Sequence, residues 1–157
     1  MSAYEEEVEA IFGVPAPSKG DDPSPELTAC TYVYTRYARA VLERELALFE
    51  SAALPVKYPS IYAALIKDAL ARLSADMRDI KAYMARANLR VDDKPRLTAQ
   101  GNTVSFTYCH RGRIGEVGGA KYLVKKRVEG VVAYYLNADI KKRPANHCGP
   151  IRVSARI

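Results

Sequence analysis

The sequence predicts an α+β fold: a long antiparallel helical hairpin, then a small antiparallel β-hairpin or sheet, then a C-terminal helix. Three observations carry this. Two long stretches place apolar residues at alternating steps of three and four, on either side of a short connection containing Pro55 and Pro59. Beyond Asn88 the period changes to two around a Gly101-Asn102 pair, the pattern of a β-hairpin. Residues 120–137 then place Val124, Val128, Val131 and Tyr135 at helical spacing, although their valine content and Gly130 would also suit two strands.

Taken in order, residues 3–12 read as a short acidic helix with Val8, Ile11 and Phe12 as its apolar points, ending near Gly13 and Pro15. Four prolines among Gly, Ser and Asp make residues 13–25 a linker. Ser24-Pro25-Glu26 supplies an N-cap, a first-turn proline and an acid at the positive helix end. The first long helix is expected over residues 26–53, with Leu27, Cys30, Tyr34, Tyr37 and Val41 on one stripe and Leu42, Leu46 and Phe49 on its neighbour. The second, over residues 60–88, carries Tyr62, Ile66, Ala69, Leu73, Met77, Ile80 and Met84. Each would be about 40 Å long, and the short connection favours an antiparallel pair. Thr103 to Cys109 alternates as a strand, and Ile151 to Ile157 alternates again as an edge strand or tail. The resulting organisation is an acidic segment and Pro-rich linker over residues 1–25, one α+β domain over residues 26–140, and a basic tail or edge strand over residues 141–157.

The 157 residues are enough to bury about two-thirds of the unfolded surface without a metal or disulfide. No apolar run approaches the length needed to span a bilayer, and the acidic N-terminus is unlike a signal peptide, so a cytoplasmic location is expected. Cys30, Cys109 and Cys148 are an odd number without the spacing of a disulfide framework, which suits free thiols in a reducing compartment. The net charge of +6 conceals a gradient: residues 1–30 carry −6, residues 31–93 carry +2 and residues 94–157 carry +10. Concentrated Lys and Arg attract phosphate and release counterions on contact, so the basic third raises the prospect of a polyanionic partner.

Three groups of residues could carry chemistry. Cys109-His110 and His147-Cys148 are ligand types that zinc accepts, or a thiol with its base. Adjacent residues on a strand point to opposite faces, so Cys109 and His110 would have to leave regular geometry to share an ion, and no metal site, catalytic residue or cofactor is expected. Gly112, Gly115, Gly118 and Gly119 ahead of Lys121 could cradle an anion, but match neither a P-loop nor a dinucleotide fingerprint, and a bent strand and loop is the simpler reading. The third group is basic: Arg111, Arg113, Lys121, Lys125, Lys126, Arg127, Lys141, Lys142 and Arg143, with Tyr108, His110 and Tyr122 interleaved as stacking candidates.

The functional expectation is therefore a small binding or regulatory protein that contacts nucleic acid or another polyanion through its C-terminal third, an acidic protein surface being the other target for such charge. The alternative is an adaptor or inhibitor using the helical hairpin, including a homodimer through helices 26–53 and 60–88, with Tyr37 and Leu73 as its test positions. A small enzyme or metal-binding protein using the Cys/His pairs is the third reading.

Overall fold

The computed structural model describes Glu6, Glu9, residues 12–15, Pro17, residues 22–51 and residues 53–136. Helix α1 spans Pro25–Glu50 and α2 spans Pro59–Arg86. Four short strands follow, β1 Leu89–Val91, β2 Arg96–Leu97, β3 Thr103–His110 and β4 Arg113–Ala120, and α3 spans Lys121–Leu136. The α+β class, the helical hairpin and the helix after the sheet are those expected. The expected strand or tail at residues 151–157 lies outside the described residues, as do Val8 and Ile11 of the short N-terminal helix; of that helix Glu6, Glu9 and Phe12 are described and helical.

Local chemistry sets the ends of α1. Ser24 is its N-cap, its Oγ accepting the Leu27 N–H at 3.1 Å, and Pro25 occupies the first turn, where no intrahelical N–H is needed. At the other end Ser51 closes the helix by donating its N–H to the Ala47 carbonyl at 3.0 Å. The helix therefore stops three residues before the expected position 53, and the Ser51 hydroxyl donates to the Leu48 carbonyl at 2.9 Å at the same end. Likewise α2 ends at Arg86 rather than 88, with Ala87 as cap and Asn88 left-handed at φ +53°.

Helix α1 is the centre of the molecule, packed on α2, α3 and the sheet. Leu27, Val33, Tyr34, Ala38 and Leu42 are fully buried and meet Ile66, Ala69, Leu73 and Ile80 of α2. Each of the leucines, isoleucines and the valine contributes about 1.5–3 kcal/mol by leaving water. Thr28 and Thr31 share the buried face without stranding their hydroxyls, which donate to the carbonyls of Ser24 at 3.0 Å and Leu27 at 2.8 Å. Phe12, at the end of the expected short helix, and Val14, inside the segment expected to be a linker, also lie in this core, with Phe12 stacked on Tyr34 at 6.1 Å.

The sheet is antiparallel with β3 at its centre: β1 and β2 pair with different parts of one edge and β4 with the other. Directly opposed residues share a face. Phe106 and Val117 thus face the helices together and are buried, Phe106 meeting Tyr37 edge-on at 5.7 Å. The outer face carries Arg90, Cys109 and the exposed Ile114 in register. The hairpin expected around Gly101-Asn102 is present in shortened form as β2–β3, while the longer hairpin β3–β4 uses the glycine-containing segment that the sequence left as a bent strand and loop.

The two-way reading of residues 120–137 resolves to helix α3. Its stripe of Val124, Val128, Val131 and Tyr135 has a core to pack against, and packing supplies what its Val-rich composition lacks in helix propensity. Its far end is tied to α2 at two points: Arg72 Nη2 donates to the Tyr135 carbonyl at 2.7 Å, and the Tyr135 hydroxyl donates to the buried Asp76 Oδ2 at 2.7 Å. Removing that hydroxyl with Tyr135→Phe is expected to destabilise the protein by about 2 kcal/mol, the usual worth of a hydrogen bond to a charged group. A fall in the urea midpoint at constant m-value is the measurement.

Candidate anion cleft at the base of the hairpin

The N-terminus of α1, the C-terminus of α2 and the turn between β3 and β4 meet at the base of the helical hairpin, opposite the α1–α2 connection. They enclose a cleft of about 470 Å³ whose walls include Asp22, Ser24, Arg86, His110 and Arg111. The turn that brings Arg111 here has two residues, Arg111 at φ +50° and Gly112 at φ +82°, both left-handed as a tight hairpin turn requires. Glycine adopts that conformation freely and arginine seldom does. Arg111 is held in it by a backbone hydrogen bond, its N–H donating to the Asn88 carbonyl at 3.2 Å, so the end of α2 braces the turn.

Charge at this cleft is mainly positive. Arg86 and Arg111 are exposed, His110 is half-buried beside them, and Arg113 stands opposite His110 in the strand register. Neither Arg86 nor Arg111 forms an ion pair among the described residues. The positive end of the α1 dipole adds to the same potential, and Asp22, which is already engaged, is the acid in the wall.

Of the residues expected to face a polyanion, the structure therefore gathers His110, Arg111 and Arg113. Lys121, Lys125 and Lys126 are exposed on α3, beginning at the opposite end of β4, about 23 Å from the turn at the rise of a strand. Lys121 and Lys125 edge a separate groove of about 580 Å³ lined by Val41, Val104, Val124, Val128 and Val132. Arg127 is directed inward: its Nη1 donates to Tyr34 Oη at 3.1 Å and to the Gly118 carbonyl at 3.3 Å, and its guanidinium lies 5.8 Å over the Tyr34 ring. Of the stacking candidates, Tyr108 faces the helices with its ring over Gly115, and only Tyr122, 76 % exposed, stands free on α3. Lys141, Lys142, Arg143, His147 and Cys148 lie outside the described residues. Among the described residues no group of three or more His, Cys, Asp or Glu is arranged to hold a metal ion, and no helix is long and apolar enough to cross a membrane.

Arg86 is the cleft residue that sequence reasoning missed. Its signal was present, a base in the last turn of the most periodic helix, but that placement also suits the helix dipole and so pointed nowhere in particular.

Burial tunes the ionisable groups around Arg127. It pushes the Cys30 thiol up to about 12, with Arg127 opposing and Glu26 adding to the shift, and it also raises Tyr34 against the hydrogen bond from Arg127. Tyr108 is raised by burial and by the nearby Glu26 and Cys30. The unfolded Cys30 thiol loses its proton near pH 9.0 while the folded one keeps it to about 12. Its contribution to stability is thus complete below pH 9 and lost as pH rises toward 12, on the order of 4 kcal/mol in all. Alkaline unfolding series on the native chain and Cys30→Ala should diverge in slope across that window.

These features define a small α+β protein in which a helical hairpin backed by a sheet and a third helix carries a basic cleft at its base. Residues 25–140 match the family described as YhjD protein, and the chain belongs to that family. The matched range begins at the first residue of α1 and takes in the three helices and four strands labelled above. No curated protein and no solved structure matches the chain.

Proposed function

We propose that this protein is a binding protein that docks a phosphate-bearing polymer, a nucleic acid, on the cleft at the base of its helical hairpin. The observation that carries this reading is the convergence of Arg86, His110 and Arg111 from separate elements on one cleft at a helix N-terminus, with Arg113 alongside. Guanidinium groups with no carboxylate partner among the described residues are suited to bidentate contact with phosphate oxygens, and the unusual backbone of Arg111 is a local cost consistent with a selected position. The exposed Lys125 and Lys126 on α3 add to the long-range field rather than to the cleft.

The test compares two charge reversals by titration with fluorescent single- and double-stranded oligonucleotides across a salt series. Arg86→Glu with Arg111→Glu is expected to abolish most of the binding, and Lys125→Glu with Lys126→Glu to weaken it modestly. Equal losses from the two pairs would show a diffuse field in place of a site. No binding by the native chain at low salt would remove the proposal.

A further inference from the structure

The opposite end of the hairpin has the contrary character. Five of the nine large apolar residues exposed among the described residues, Leu48, Tyr58, Ile61, Tyr62 and Leu65, lie around the α1–α2 connection, each 42–57 % exposed. Tyr58 is the N-cap of α2, Ile61 and Leu65 are one turn apart on that helix, and Phe49 of α1 stacks on Tyr62 at 5.4 Å, joining the two helices. Ile61 and Leu65 flank the inward stripe of Ile66, Ala69 and Leu73, and Tyr62 carries that stripe to the tip, one turn before Ile66. The expected assembly positions are not part of the tip: Leu73 is fully buried, and Tyr37 packs on Phe106.

We infer that this tip is a self-association surface on which the tip of a second copy of the chain packs. Area, charge and geometry select that occupant. The five side chains leave roughly 500 Å² in water, so two copies would bury about 1,000 Å² from these residues alone, near the threshold of a specific interface. Residues 43–68 hold three bases and four acids, a net −1, whereas the whole chain carries +6. Two like-charged molecules meet most easily through the part that is neutral. Helices of 26 and 28 residues, about 40 Å long, separate the tip from Arg86 and Arg111 at the base, so tip-to-tip contact also keeps the two basic clefts far apart. A two-fold pair uses the same patch on both partners, so a single apolar tip is enough to form it.

Sedimentation velocity over a concentration series from 1 to 100 µM, run on the full chain, tests this. The native protein is expected at twice the 17.4 kDa of one chain at the upper end. Ile61→Glu with Leu65→Glu is expected to be monomeric with an unchanged far-UV circular dichroism spectrum, because both positions are exposed. Ile114→Glu, which changes an exposed apolar residue on the outer face of the sheet, is expected to leave the dimer intact. Should the glutamates perturb the fold, Ile61→Ala with Leu65→Ala provides the same reading as a weakening of about 100-fold in the dimer constant. A native monomer at 100 µM would overturn the inference, and so would a dimer that survives the tip substitutions or dissociates equally with Ile114→Glu.

Discussion

Replacing Arg86 and Arg111 together by glutamate is expected to remove at least about tenfold of the affinity for an oligonucleotide at low salt and to flatten its salt dependence. The second effect is the more diagnostic. If Arg86, Arg111 and Arg113 each neutralise one phosphate, the logarithm of the binding constant falls against the logarithm of salt with a slope of about −3 on a duplex and about −2 on a single strand. A fourfold rise in salt then weakens binding by roughly 40-fold and 20-fold respectively. The double reversal leaves one of the three contacts, so the duplex slope should shrink to about −1. A substitution that acted only through the general field would lower the intercept and leave the slope nearer its native value. The base of α1 limits what the cleft can hold: Pro25 has no N–H and Ser24 Oγ already takes that of Leu27, so the guanidinium groups carry the contact and the helix end supplies potential.

The largest effect on stability is expected at Gly118. Its φ of +131° is closed to most side chains, and a Cβ there would lie 2.2 Å from the Val104 carbonyl oxygen on the facing strand. That oxygen cannot withdraw cheaply, because β3 is the central strand and residues 104 and 105 pair with Gly119 and Gly118. The Gly118 carbonyl also receives Arg127, so a displaced backbone would loosen the inward anchor that fixes α3 to Tyr34. Gly118→Ala should therefore cost about 3–5 kcal/mol and lower the thermal midpoint on the order of 10 °C. Gly112→Ala is the control: it too has a left-handed φ, +82°, but nothing lies within 4 Å of its would-be Cβ. It should lose only about 1 kcal/mol, the conformational part alone. Comparable losses at the two positions would mean that strain, not the collision with β3, governs Gly118.

Several features of this molecule were legible one residue at a time. Ser24-Pro25-Glu26 starts a helix because a hydroxyl, a fixed φ and a carboxylate each answer a need of the first turn. The stripe from Ile66 through Leu73 to Met84 packs inward because a period of 3.6 places those side chains on one side of any helix. Thr103 to His110 alternates and forms the central strand. The second arm of its hairpin was harder to see, since Gly115, Gly118 and Gly119 remove the side chains that alternation is read from.

What the sequence by itself determined is the class of the protein, the places where its long helices start and stop to within three residues, and a total of charge concentrated toward the C-terminus. The destination of each charge belongs to the tertiary structure alone. Lys126 and Arg127 are neighbours in sequence, yet one is exposed and the other donates to Tyr34 and to the Gly118 carbonyl. Arg86 joins Arg111 only because an eight-residue strand and a two-residue turn return the chain to the end of α2. Periodicity depends on neighbours three and four residues apart and is written in the chain itself. A cleft depends on residues tens of positions apart, and nothing local distinguishes the basic residue that reaches it from one that only meets water.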